Sequence, residues 1–268
     1  MIIIGEKING SIPGVAKAIA AKDADHIRNL AKAQAEAGVS YIDVCASVAD
    51  EIELETMKWL IDLVQEVTDT PIAIDSPNAK TCVAAMPFCK KPGIINSVNM
   101  EGDKVDTVFP IIADTKWECI ALLNGDSGIP KTAADRLKVF DALMEKAAQY
   151  NIDPSRLHID PLVEMLCTSD DGIAMVVEVI TEIKKKFPTI HITGAVSNIS
   201  FNLPVRKLVN QAFLVLAMNA GMDSGILDPL NRDMMGMIYA TEACLGLDEL
   251  CMEYISAYRD GIFGPVAK

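Results

Sequence analysis

Short apolar runs in this chain end, again and again, in an Asp or an Asn. The run at residues 2–5 leads to Glu6 and Asn9, that at 41–45 carries Asp43, and those at 71–75 and 93–97 close on Asp75-Ser76 and Asn96-Ser97. The runs at 118–123, 157–160, 191–195 and 225–227 lead to Asn124, Asp160, Ser197-Asn198 and Asp228. Taken singly, each is ordinary loop chemistry, since Asp and Asn before Ser, Pro or Gly form turns and cap helices. Asp75-Ser76-Pro77 and Asp160-Pro161 read that way in isolation. A whole set of strand ends with almost no Lys, Arg or His among them points instead to one recognition surface.

Carboxylates only accept hydrogen bonds, whereas amides both donate and accept. The ligand suited to such a ring is a flat heterocycle that is polar on both edges. The aminopyrimidinone of a pterin fits, because its ring N–H and amino group can be received by one carboxylate in two parallel bonds. A sugar phosphate does not fit, because it calls for cations or a glycine-rich backbone nest after strands 7 and 8.

Other chemistries are less well supplied. His26, His158 and His191 lack metal-ligand spacing. His158 shares strand parity with Asp160 and is expected to be a hydrogen-bonded core histidine below the site. Cys45, two residues after Asp43, has the parity to face the mouth, and a buried thiol is favoured there over a ligand contact. Lys7 is the one lysine directly after a strand end, which is thin support for a Schiff base. Met234-Met235-Gly236-Met237 reads as core or a subunit contact.

The elements that must position these residues follow from periodicity. Short β-branched runs alternate with amphipathic segments at 23–37, 51–67, 131–150, 171–186 and 204–218, the pattern of βα units. Eight strands with helices between them predict α/β architecture, a (β/α)8 TIM barrel, in a single domain over residues 1–268. An open doubly wound sheet is the alternative, but residues 5–10 do not supply its glycine-rich first turn. A closing helix is expected after Ala240, carrying Leu247, Leu250, Met252, Tyr254 and Ile255.

Half of the 268 residues are hydrophobic and only 5% aromatic, so the core must be aliphatic. A net charge of -13 argues against nucleic acid as a partner. Lys184-Lys185-Lys186 complements the dipole at a helix C-terminus rather than forming a docking patch. Seven cysteines without a C-x-x-C pair, no basic leader and no 18-residue apolar run predict a cytoplasmic protein with no membrane segment.

These residues resemble the pterin-binding barrel family, and within it the methyltetrahydrofolate:corrinoid protein methyltransferases. The resemblance spans essentially the whole chain, through Ile3-Ile4-Gly5-Glu6-Lys7-Ile8-Asn9-Gly10, Ile74-Asp75-Ser76, Ile95-Asn96-Ser97, Gly128-Ile129-Pro130-Lys131, Ile159-Asp160-Pro161-Leu162 and Ser197-Asn198-Ile199-Ser200. It implies Asp75, Asn96 and Asp160 as the main pterin contacts, with Asp160 on the N–H and amino edge. It implies Asn198 near N5 as the catalytic hydrogen-bond donor. Glu6, Asn9, Asp43, Ser197 and Arg206 match family positions around the same mouth, with Arg206 a candidate for the anionic glutamate tail.

The implied reaction moves a methyl group between N5 of tetrahydrofolate and the cobalt of a corrinoid. The corrinoid (cobalamin) would arrive on a separate corrinoid-binding protein, since the chain has no D-x-H-x-x-G motif. A homodimer is implied as well. Two departures stand out: Asp43-Val44-Cys45 where the family usually has Asp-x-Asn, and Phe201 in place of a usual Gln. They suggest an enzyme of a demethylation pathway, running from methylcorrinoid to tetrahydrofolate. The competing readings are a dihydropteroate synthase-like enzyme, for which a basic pair and mobile glycine-rich loops are not found, and a pterin-binding module without catalysis.

Overall fold

The computed structural model describes residues 1–265. Eight parallel strands, β1 (Ile2–Asn9), β2 (Tyr41–Cys45), β3 (Ile72–Asp75), β4 (Ile94–Met100), β5 (Glu118–Gly125), β6 (Leu157–Asp160), β7 (His191–Ile192) and β8 (Ser224–Leu227), pair in the order β7-β6-β5-β4-β3-β2-β1-β8. The seam between the ends of that series is spanned by Ile226 N–H donating to the Gly194 carbonyl (3.0 Å) and Asp223 N–H to that of Ile192 (3.3 Å). The expected barrel is therefore what forms, with β7 shorter than its 191–195 run because only Ala195 bridges onward to β8.

Helices α1 (Pro13–Ala21), α2 (Ala24–Glu36), α3 (Asp50–Val67), α4 (Ala79–Ala85), α5 (Lys104–Ile112), α6 (Ala133–Gln149), α7 (Ala174–Lys186), α8 (Arg206–Ala220), α9 (Arg232–Cys244) and α10 (Met252–Arg259) surround it. Alternation along the strands splits the core in two. Ile3, Ile42, Val44, Ile72, Ile74 and Ile95 face outward onto helix residues such as Ile27, Leu60 and Val64. Ile4, Ala73, Ile94 and Ile120 form a separate cluster inside the barrel, flanked by Tyr41, Leu122 and Ile226. Burying aliphatic side chains at about 25 cal/mol per Å2 on both faces is the main stabilising term.

Below that apolar layer lies a polar floor. His158, fully buried, pairs through Nε2 with Glu118 (2.8 Å) and through Nδ1 with Ser224 Oγ (3.0 Å), and its ring stacks on His191 at 4.8 Å. It is the core histidine that its parity implied. His191 and Lys184 both bond Asp223, at 3.1 and 2.8 Å, so the lysine triplet ends α7 in a structural role.

The end of the chain departs from expectation. The 240–255 region is not one closing helix: α9 begins earlier, at Arg232, and stops at Cys244, where Gly246 takes a left-handed conformation (φ 72) suited to a helix end. Leu247, Leu250 and Met252 are exposed rather than core-facing. Met234 and Met235 are buried. Gly10 is required by contact, since a Cβ there would lie 2.1 Å from the Ala46 carbonyl oxygen where the β1 and β2 loops meet.

Candidate active site at the barrel mouth

Whether the strand-end Asp and Asn residues merely cap helices is decided by their partners. The side-chain caps belong to other residues: Asp23 for α2, Asn78 for α4, Thr132 for α6 and Asn231 for α9. Three ring members do close turns, Asn9 onto Ser11 N–H (2.9 Å), Asp160 onto Leu162 N–H (2.8 Å) and Asp228 onto Leu230 N–H (3.0 Å). Glu6, Asp43, Asp75, Asn96 and Asn198 cap none of these helices.

One cleft at the C-terminal ends of the strands gathers Glu6, Asn9, Asp43, Asp75, Asn96, Asp160, Ser197, Asn198 and Arg206, all nine of the candidate residues. Its volume is about 450 Å3, room for a bicyclic heterocycle. Two other strand ends do not join it. Asn124 turns away to donate to Glu101 (2.9 Å), and Asp228 forms an ion pair with Lys7 (3.0 Å), which also withdraws Lys7 from any Schiff-base role. Sequence reasoning missed Ser11, Ile12, Leu122, Ala195 and Ile226 on the wall. Leu122 and Ile226 carried a signal, the inward parity they share with Ile120 and Ser224.

The carboxyls form a graded set. Asp43 is buried and receives the Asn96 amide (3.0 Å); burial, and then the neighbouring Asp75, push its pKa well up. Asp43 thus favours its protonated form, the form that can donate to the neighbouring Asp75. Asp75 accepts from Asp43 and from the Cys45 thiol, and burial raises it to about 6. Cys45 thus retains hydrogen-bonding capacity at the position where Asn is usual, and burial beside two carboxyls keeps it a thiol. Asp160 is likewise raised to about 6 by burial, against the backbone amides of Leu162 and Val163 and the charge of Arg136.

Arg136 is a further residue that sequence reasoning missed. It is fully buried in α6 and donates to the carbonyls of Pro161 and Leu162 and to Glu164, pinning the loop that follows Asp160. Nothing in its local sequence marks it beyond a charge on an apolar helix face.

After β7, Asn198 rides a single helical turn, Val196–Ser200. Arg206 holds that turn, donating to Ser200 Oγ (2.9 Å) and the Ser197 carbonyl (2.8 Å) while its guanidinium covers the Phe201 ring at 4.6 Å. Phe201 is an exposed rim residue. Glu6 sits in a bulge of β1, where the register with β2 slips between Gly5 and Ile8 and Gln34 of α2 accepts the Lys7 N–H (3.0 Å). Such bulges re-aim side chains beside functional sites. The cleft can thus accept hydrogen bonds along one edge of a planar ligand, offer amides along another and cover its face with aliphatic carbon.

Comparison with known proteins agrees with this chemistry. The family model described as "Pterin binding enzyme" matches residues 14–228. The chain is 50% identical over 268 residues to the methylcorrinoid:tetrahydrofolate methyltransferase of Eubacterium limosum, covering 99% of each. It is 29% identical over 251 residues to methionine synthase of Mycobacterium tuberculosis, matching 87% of this chain but 21% of that longer protein. Among solved structures, the dihydropteroate synthase of Yersinia pestis superposes with TM-score 0.66 at 13% identity, over 91% of this chain and 93% of that one. A dihydropteroate synthetase bound to its product superposes with TM-score 0.67 at 15% identity, over 90% and 94%. At such identities these two likenesses speak for the fold alone.

Proposed function

This chain belongs to the pterin-binding enzyme family, and from that premise we propose that it moves a methyl group from a methylated corrinoid, carried on a separate corrinoid-binding protein, to N5 of tetrahydrofolate. The observation that carries the reading is the 50% identity, over essentially the full length of both chains, to a methylcorrinoid:tetrahydrofolate methyltransferase. The cleft suits the substrate. Asp160 and Asp75, with Asn96 between their strands, take the N–H, amino and carbonyl edges of the pterin, and Leu122 and Ile226 lie against its face. Asp43 keeps Asp75 and Asn96 oriented. Asn9 and Ser197 line the same mouth.

Little covalent chemistry is asked of the protein. The methyl group is already activated on cobalt and N5 is the nucleophile, so alignment of the two reactants supplies much of the rate, by about 7–11 kcal/mol at the upper end for well-oriented groups. In this direction N5 gains positive charge, so the Asn198 side chain serves with its amide oxygen toward the nitrogen, where its dipole stabilises that charge as the N–C bond forms. Arg206 holds the Asn198 turn through Nε and Nη2, and its guanidinium lines the cleft where the glutamate tail would leave it.

We also propose a homodimer, supported by exposed Leu247, Leu250, Met252 and Ile255 along one end of the molecule. A cytoplasmic setting is supported by seven free cysteines, three of them exposed.

The test is an anaerobic assay in both directions with a matched corrinoid protein, following the cobalt absorption bands and methyltetrahydrofolate by mass. Transfer from methylcorrinoid to tetrahydrofolate is the expected result. Markedly faster methylation of the reduced corrinoid from methyltetrahydrofolate overturns the direction. Condensation of a pterin pyrophosphate with an aminobenzoate overturns the reaction class.

A further inference from the structure

Methyl transfer onto tetrahydrofolate leaves a proton to be removed. N5 of the substrate carries one hydrogen. Its lone pair forms the new N–C bond while the Co–C bond breaks with both electrons left on cobalt. N5 then has four bonds and a positive charge, which is lost when the N5–H proton leaves and its bonding pair returns to nitrogen. A group in the cleft able to take that proton is required by the chemistry, and Asn198, an amide, is not a base.

We propose that Glu6 is this proton acceptor, a catalytic residue for the reaction assigned above and resting on that assignment. Four carboxyls line the cleft, and three are already engaged. Asp43 is a proton donor to Asp75 and is held by Asn96 (3.0 Å). Asp75 accepts from Asp43 and Cys45. Asp160 accepts from Leu162 N–H (2.8 Å) and Val163 N–H. Protonating Asp75 or Asp160 breaks hydrogen bonds that orient the pterin pocket. Among the described residues, the surroundings of Glu6 act on it through burial and charge and not through a hydrogen bond.

Position supports the assignment. In the barrel β8 lies between β1 and the segment after β7, so Glu6 and Asn198 flank one sector; Asp160 on β6 borders Asn198 from the other side but is tied up by its backbone amides, whereas Asp43 and Asp75 stand on β2 and β3. Arg206 links the two: it bonds the turn that carries Asn198 and its charge is felt at Glu6. The bulge in β1 that sets Glu6 against this sector is held by Gln34.

The charges facing Glu6 are Asp228 after β8, Lys7 beside it on β1, Arg206 on α8 and Asp43 on β2. Burial, then Asp228, raise Glu6 to about 7, while Lys7 and Arg206 oppose the rise. A group so tuned is about half deprotonated at neutral pH, able both to accept a proton and to hold it once taken, the matching that favours general-base catalysis. An alkylated arylamine ammonium is a far stronger acid, so the transfer runs downhill. The open cleft lets Glu6 discharge to water afterwards.

The experiment compares wild type, Glu6→Gln and Glu6→Asp in both directions across neutral pH, with tetrahydrofolate affinity measured by calorimetry. In wild type the forward kcat rises with pH through about 7, as Glu6 ionises, and the reverse rate falls. Glu6→Gln should lower forward kcat by about 100-fold, at the low end for a positioned base. It should abolish the pH-dependent limb and leave tetrahydrofolate affinity little changed. Glu6→Asp should keep the limb with part of the rate, and it decides the matter should the glutamine variant fail to fold.

An unchanged kcat and pH limb in Glu6→Gln overturns the proposal, with water taking the proton directly. A loss confined to affinity also overturns it and makes Glu6 a binding residue. A wild-type enzyme with no methyl transfer in either direction strikes the reaction assignment itself, so the two failures are told apart.

Discussion

The two ends of this barrel are both lined by buried ionisable side chains, and they are built on opposite terms. At the floor the polar groups are paired with one another: Glu118 with His158, Asp223 with His191 and Lys184, Ser224 with His158. Burial pushes Asp223 up, yet its bonds from His191, Lys184 and the Ile192 amide outweigh that and hold it at about 2. At the mouth four carboxyls share a cleft whose cationic side chain, Arg206, is turned onto the backbone of the Asn198 turn, and burial drives them up. Satisfied polar groups stabilise a fold, and a surplus of acceptors is a cost the folded state bears until a ligand with donors arrives. The contrast separates structural polarity from functional polarity within one set of strands.

The largest effect expected from breaking that contrast is at Asn198. Replacement by Ala should lower kcat by the equivalent of about 2 to 4 kcal/mol in activation free energy, the scale for one group preorganised to stabilise the transition state, with tetrahydrofolate affinity nearly intact. Single-turnover kinetics with pre-methylated corrinoid protein checks it, and an unchanged rate removes the N5 role.

At the floor, His158→Ala should leave kcat unchanged below the melting transition but lower stability by about 3 kcal/mol, because it opens a cavity and strips Glu118 of its partner. Urea unfolding followed by circular dichroism measures it. A loss of activity without loss of stability would put the floor in the catalytic unit.

Asp160→Asn joins the two ends. It should weaken tetrahydrofolate binding by about 10- to 100-fold, as expected for a lost charged hydrogen-bond acceptor, and yet raise the melting temperature near neutral pH. The sign follows from linkage. Asp160 is raised from 3.8 to about 6, so the stability tied to its proton is present below about pH 4 and is lost as pH rises through 6. The neutral amide removes that loss.

The floor responds the other way. Asp223 is depressed from 3.8 to about 2, so its contribution is present above about pH 4 and disappears as pH falls through 2. Acid unfolding of Asp223→Asn should accordingly lack the part of the transition that wild type shows in that window.

The smallest effect is expected at Phe201, which packs under Arg206 on the exposed rim. Phe201→Gln should change kcat by only a few-fold, since an exposed cation–π contact is worth about 0.5–1 kcal/mol. A change of forward-to-reverse preference in that variant would tie the residue to direction.

Much of the barrel is legible in the residue order. Tyr41–Cys45 and Leu157–Asp160 fall where their β-branched runs place them, because a strand covered on both faces has to be continuously apolar. Parity alone put His158 in the interior. The mouth was legible as a list of residue types, and all nine candidates line one cleft. Illegible were Asn124 and Asp228, whose types fit the ring but whose partners, Glu101 and Lys7, take them out of it. Arg136 and Leu122 were missed for the converse reason, that neither residue type announces a role.

Residue order by itself determined the eight-strand alternation, the aliphatic core and the chemical character of the strand ends, since periodicity and side-chain type are local properties. Tertiary structure decided which carboxyl keeps a proton, which one is left without a hydrogen bond, and that Arg206 grips the Asn198 turn. Those outcomes depend on burial and on neighbours from distant strands. Electrostatic energies vary with distance and with exclusion of water, and neither quantity exists until the barrel has closed.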